Sequence, residues 1–381
     1  MFRLPQELTD KVLDYLHEDK LSLVYCSLVC WEWVPATRFH IFSDITLRRT
    51  WKRLMCPQFL PFLDMLATDS CTFTPFVTQL TLEDLDGTPG GAFTPAFSTL
   101  ARLTSVSSLT FDRCRNLGVQ PTLLPRLPAL SELALVRIVF DSVRQVFSML
   151  EMCPSLTSLA VVSVSWDPSS APIVYSHASS IRRLRLSACP RAEFLDIFAA
   201  SNVNLACRTV EIEGIEREEI GSIGRFLNSI AGSLQHLTVG FAPPNYTDSQ
   251  LRDGGQSPGL EVEMLFCKSV DLRQHTRLLS FSFSDINVSV IGSEGALAML
   301  STIRCALCAP YLEEIAFSLF YYQKVDLGRL KWDRIDDLLS SSRLDSLRRV
   351  KFSVSRWNSS EDITSWLPRC CARNILIFMD S

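Results

Sequence analysis

Ser108-Leu109-Thr110-Phe111, Glu132-Leu133-Ala134-Leu135, Ser158-Leu159-Ala160-Val161, Arg183-Leu184-Arg185-Leu186, Thr209-Val210-Glu211-Ile212 and His236-Leu237-Thr238-Val239 are the stretches that decide the fold. Each alternates a polar or small residue with an apolar one, the two-residue period of a strand with one buried face. Their first apolar residues stand at 109, 133, 159, 184, 210 and 237, so the steps are 24, 26, 25, 26 and 27. Self-similarity at that spacing means one strand and one helix per unit, stacked so that neighbouring units bury a continuous core.

The pattern extends both ways. Asp44-Ile45-Thr46-Leu47 and Gln79-Leu80-Thr81-Leu82 precede it, and Leu278-Leu279-Ser280-Phe281, Glu314-Ile315-Ala316-Phe317, Arg349-Val350-Lys351-Phe352 and the run from Asn374 to Phe378 follow. About eleven or twelve strands are expected. Between them Asp141 can cap a helix over 143–152, Phe194, Ile197 and Phe198 share a face of 191–200, Ile220, Ile223 and Leu227 share a face of 216–230, and Ser293 can cap 296–308. Residues 242–259 are rich in Pro, Gly and Asn and read as a loop or insertion. The fold class is α/β: a curved parallel sheet with helices on its other side. This is similar to a degenerate leucine-rich-repeat solenoid, one without the strict asparagine or cysteine ladder of that family.

The N-terminal residues have a helical period instead. Pro5 suits a first helical turn, and Leu8, Val12 and Leu16 follow at four-residue spacing. Asp19 can cap a second helix carrying Leu21, Val24, Leu28 and Val29, and Trp33 closes a third short helix before Pro35. So few residues cannot bury that much apolar surface among themselves, so they need a partner or the rest of the chain. Leu4-Pro5-x-Glu7-Leu8, the Val12/Leu16 stripe, Leu28-Val29-Cys30-x-x-Trp33 and the exit from Arg38 to Leu47 resemble the F-box in its fungal, basidiomycete-like form.

The resemblance implies a three-helix F-box over 1–43 ahead of the repeats at 44–381. It implies docking on a Skp-type adaptor of a cullin ubiquitin ligase complex through Leu4, Pro5, Leu8, Val12, Leu16, Leu28, Val29 and Trp33, with a target protein held by the repeats. Trp31 departs from the family, which usually has a basic or polar residue there. The alternative is that the three helices only cap the open end of the repeat array. Trp31 turned inward would favour the cap, and Trp31 turned outward the docking face.

Composition narrows the function further. The 381 residues carry 37 Lys+Arg against 41 Asp+Glu with no long run of one sign, which leaves no basic field for nucleic acid or an anionic membrane. No stretch has the length that spans a bilayer, and thirteen cysteines without framework spacing read as small hydrophobes of a reducing compartment, so a cytoplasmic or nuclear location is expected. None of the five histidines stands in a nucleophile motif, and the chain has no GxGxxG, phosphate-binding loop or HExxH. Cys305-x-x-Cys308 is a lone pair, and the adjacent Cys370-Cys371 cannot share a tetrahedral ion without two further ligands. No enzyme activity, metal or cofactor is expected. The candidate target surface is the exposed face of the strands: Asp112, Val136, Ala160, Arg183, Arg185, Glu211, Glu213 and His236. Arg183 and Arg185 beside small apolar residues would suit an acidic or phosphorylated peptide, since guanidinium forks bind carboxylate and phosphate bidentately. A solvated face with compensating charges is the plainer reading.

Overall fold

A computed structural model describes residues 5–48, 59–69, 71–85, 99–114, 127–167, 180–200, 206–242, 258–287, 300, 303–304, 308–320, 327–328, 330–341, 344–354 and 360–379. The chain forms two compact units, Met1–Pro172 and Ile173–Ser381.

The first unit opens with helices α1 (Gln6–Asp14) and α2 (Lys20–Cys26), a 3-10 turn (Trp31–Trp33) and α3 (Val34–Phe42). Pro5 stands just before α1, and Asp19 caps α2 by accepting the Ser22 N–H at 3.1 Å. Pro35 lies in the first turn of α3 rather than after a helix, because a proline there loses no intrahelical bond. Strands β1 (Asp44–Arg48), β2 (Gln79–Glu83), β3 (Ser108–Asp112), β4 (Glu132–Val136) and β6 (Ser158–Val162) then pair in parallel and in register, so Leu80, Leu109, Leu133 and Leu159 stand side by side. Helix α4 (Phe59–Ala67) follows β1, and the short strands β5 (Val139–Phe140) and β7 (Ser165–Trp166) pair separately. Helix α5 (Val143–Glu151) buries Val143, Val146, Phe147 and Leu150. Its N-cap is Ser142, while Asp141 is tied to Gln145 by reciprocal bonds of 2.9 and 3.2 Å, so Asp141 fixes the first turn from one residue further out than expected.

Strands β2, β3, β4 and β6 are each followed by a residue with a left-handed backbone. Asp84, Arg113, Arg137 and Ser163 have φ of 54–55°, and the N–H of the first three donates to Asp112, Val136 and Val162 carbonyls at 2.8–2.9 Å. The left-handed conformation costs a non-glycine residue about 1 kcal/mol or more, and the repeated cross-strand bond offsets it.

The second unit repeats the same layout with longer connections. Strands β8 (Arg183–Ser187), β9 (Thr209–Ile215), β10 (His236–Phe241), β11 (Ser280–Asn287), β12 (Glu314–Phe320), β13 (Arg349–Val354) and β14 (Leu376–Met379) are parallel neighbours in chain order. Phe283, Phe317 and Phe352 of the buried row and the half-buried Phe378 form an aromatic column, with ring centroids 5.4, 5.2 and 6.1 Å apart. The helices are α6 (Arg191–Ala200), α7 (Ile220–Ser229), α8 (Pro258–Ser269), α9 (Trp332–Leu339), α10 (Ser360–Trp366) and α11 (Pro368–Ala372).

Three expectations shift here. The strand expected from Leu278 begins at Ser280, because Phe281 and Phe283 fill the two inward positions and Leu278 is the buried lead-in. Pro258 and Gly259 open α8 instead of ending the loop, and 243–257 lie outside the described residues. The helix expected over 216–230 is a 3-10 turn (Arg217–Glu219) followed by α7, with Glu216 and Glu219 forming a capping box. Most of the helix expected over 296–308 lies outside the described residues.

Parallel strands are usually buried on both faces and continuously apolar. These alternate: in β3 and β4 the second and fourth residues are buried, while the first, third and fifth reach solvent. No helix of the described residues is long and apolar enough to cross a membrane.

Candidate functional site

Two surfaces carry the residues singled out by sequence. The first is the outer side of α1, α2 and the 3-10 turn. Thr9 and Leu13 of α1 and Leu23 of α2 point inward and are buried, while Leu8, Val12, Tyr15, Leu21, Tyr25, Leu28 and Val29 are exposed. Leu16 and Trp33 are half-buried and Pro5 is exposed, and Leu4 lies outside the described residues. Trp31 is 87% exposed, so its side chain does not serve as an internal plug. Among the described residues, ten of the fifteen exposed large apolar side chains fall between Leu8 and Phe39. On folded proteins, apolar concentrations of this kind are characteristic of interaction surfaces.

What holds it from behind is specific. His40 of α3 meets Asp14 of α1 at 2.9 Å, Lys20 donates to the Asp44 carbonyl at 2.9 Å, and Thr37 is fully buried with its hydroxyl on the Trp33 and Val34 carbonyls. Helix α3 also meets the segment that follows it, with Phe42 stacked on Phe73 at 5.0 Å and the Ser43 carbonyl accepting the Thr78 and Gln79 N–H groups.

The second surface is the exposed strand face, taken unit by unit. In the first unit Val136 stands beside Asp112 and Val162, and Ala160 beside Ala134, so the small apolar residues expected there do meet. Glu83 is buried between the guanidiniums of Arg48 and Arg113, and Arg113 also meets Asp84 at 2.9 Å. Asp112 accepts the Nε–H of Arg137 at 2.7 Å and is clasped by the same guanidinium from its other nitrogen. Glu83, Asp84 and Asp112 are therefore already matched.

In the second unit Arg185 stands 3.3 Å from Glu213 and 3.6 Å from Glu211. Burial lifts the Glu211 carboxyl above its usual range, and Arg185 pulls it back. Arg183 and His236 are exposed on the same face. A guanidinium already held between two carboxylates has less to offer a phosphate, and the local balance matches the compensated face rather than a free basic step.

The end of β9 is fixed from beneath by a residue that periodicity does not single out. Arg191, 3% exposed, meets Glu219 at 2.7 Å and donates to the carbonyls of Glu213 and Gly214. Gly214 needs its glycine, since its φ is +70°. The pattern had shown Arg191 only as the start of a helix, and a buried cation at a helix start has no sequence period. His275 is likewise fully buried, with Nδ1 and Nε2 each 3.2 Å from a carbonyl, and burial lowers its pKa.

No family model matches the chain, and no curated protein matches it. Chemistry is sparse as well. The described residues contain no group of three or more His, Cys, Asp or Glu that could hold a metal. Burial pushes the thiols of Cys114, Cys189, Cys207 and Cys370 up to about 12 and that of Cys153 to about 11, which removes them as nucleophiles. Cys30 is only half-buried, Cys308 and Cys371 are exposed, and Cys305 lies outside the described residues.

Proposed function

We propose that this chain is a non-catalytic, substrate-recruiting F-box subunit of a Skp/cullin ubiquitin ligase, working in the cytoplasm or nucleus. Residues 1–43 dock on the adaptor and the repeats from residue 44 hold a target protein by their exposed strand face. The observation that carries this reading is the outward exposure of Leu8, Val12, Leu28, Val29 and Trp31 on the N-terminal helices. A lone module would not leave such side chains in water without a partner to cover them. The mechanism is proximity: tethering a target beside a charged enzyme raises its effective concentration and needs no chemistry in this chain.

The cap reading has its own support in α3, whose Phe42 and Ser43 contacts join the helices to the first repeats. Those contacts occupy α3 and leave the outer faces of α1 and α2 uncovered, so a cap accounts for one helix and not for the exposed stripe. In size-exclusion chromatography the full chain mixed with a purified Skp-type adaptor should elute as a single complex. Separate elution of the two at micromolar concentration would overturn the assignment.

A further inference from the structure

The exposed strand face of the second unit holds an uncharged floor between two groups of charge. Register sets Glu211, Thr238, Ser282, Ala316 and Lys351 side by side across β9 to β13. Thr238, Ser282 and Ala316 are half-buried and short, so the floor between the charged ends is low. Beside that row Ser318 pairs with Ser353, and Ser284 Oγ lies against Gly240 where a Cβ would stand. The Ser284 hydroxyl is buried and has no hydrogen-bond partner among the described residues. A buried hydroxyl left unmatched is rare and calls for a polar atom from outside the chain.

The two ends carry opposite imbalances. At β9 two carboxylates, Glu211 and Glu213, share the Arg185 guanidinium at 3.6 and 3.3 Å. Arg183 stands beside Thr209 instead, nearer the strand start. Burial first, with Glu213 adding to it, holds the Glu211 carboxyl above its usual range although Arg185 opposes the shift. At β13 the arrangement is reversed, since Glu314 is shared by Arg349 at 3.1 Å and Lys351 at 2.9 Å. One end therefore has a carboxylate to spare and the other a cation. Neighbouring strands lie about 4.8 Å apart, so the four spacings from β9 to β13 cover about 19 Å along the sheet, the reach of about six residues of extended chain.

We propose, on the reading that the strand face holds a target protein, that β9–β13 bind the target as an extended segment with a basic side chain about six positions from an acidic one. The basic side chain meets Glu211 and Glu213, and the acidic one meets Arg349 and Lys351. Serine and threonine hydroxyls both donate and accept, so the floor can serve the N–H and C=O groups of the backbone that crosses it. A folded partner offering an apolar patch would find no large apolar side chain here to bury it against.

The test pans a displayed library of random peptides of about ten residues, long enough to cross the floor, on the full chain. Enriched sequences should hold Lys or Arg about six positions from Asp or Glu. Synthetic copies should bind about tenfold more tightly than versions whose acidic residue is replaced by lysine. Lys351→Glu turns the cation excess at β13 into an acidic one and should invert that preference, enriching peptides that are basic at both positions. Arg349→Glu, at a side chain 50% exposed, should do the same, and circular dichroism checks that both variants are folded. No enriched peptide, or a preference that neither folded variant changes, would overturn the proposal. A hydrogen-exchange footprint of the enriched peptide on β1–β4 and β6 would overturn it and leave strand-face recruitment standing, and a footprint away from the strands would overturn both.

Discussion

The Leu8→Asp/Val12→Asp variant should lose affinity for a Skp-type adaptor by about a thousandfold or more, about 4 kcal/mol, while its repeats stay folded. Both side chains are about half exposed in the free chain, at 49% and 52%, so their replacement removes little internal packing. Position 8 is in the first turn of α1, where a carboxylate is favoured by the helix dipole. The cost to folding is therefore about 0.5 kcal/mol or less, within the usual range for surface changes. In a complex the same two carboxylates would be pressed against an apolar surface without partners, and burying an unpaired charge is far more expensive than losing a methyl contact. Calorimetric titration together with circular dichroism separates the outcomes. Retained affinity would contradict the docking face, and loss of affinity with loss of the folded signal would point to the cap.

Replacing Arg191 with methionine should destabilise the second unit by about 3–5 kcal/mol, because the Glu219 carboxylate would remain buried without its cation. Two carbonyls, those of Glu213 and Gly214, would lose their donor at the same time. The Arg191→Met/Glu219→Gln variant carries no buried charge and should recover part of that loss. Urea unfolding followed by circular dichroism reads both. Equal losses in the single and double variants would show that the pairing is not the source of the stability. The consequence reaches the strand face, since Arg191 holds the backbone of Glu213, whose carboxylate meets Arg185 on the other side.

What sequence could show depended on whether a feature was periodic. The strands from Ser108 to Val239 were legible because buried side chains recur every second residue and the units recur every 24 to 27. The strand at Leu278 slipped by two because an apolar lead-in, Leu278, precedes two inward phenylalanines and mimics the start of the alternation. Helix α4 was missed although Phe59, Phe62, Leu63 and Leu66 have helical spacing, since Pro61 interrupts the run. The left-handed strand ends at Arg113 and Arg137 carry no glycine to announce them, and their ion pairs join residues 25 to 30 positions apart. At the N-terminus the stripe was legible, but its direction was not. An amphipathic helix normally turns its apolar arc inward, and here Leu13 does so while Leu8 and Val12 do not. Only three-dimensional packing distinguishes an apolar stripe that builds a core from one that stays exposed.

Amide hydrogen exchange on the full chain, with and without a purified Skp-type adaptor, tests the docking claim most directly, because it reads which segment is covered without any substitution. Protection concentrated in residues 5–34, with the repeat strands unchanged, is the predicted result. Protection confined to the strands, or none at adaptor concentrations well above micromolar, would contradict it.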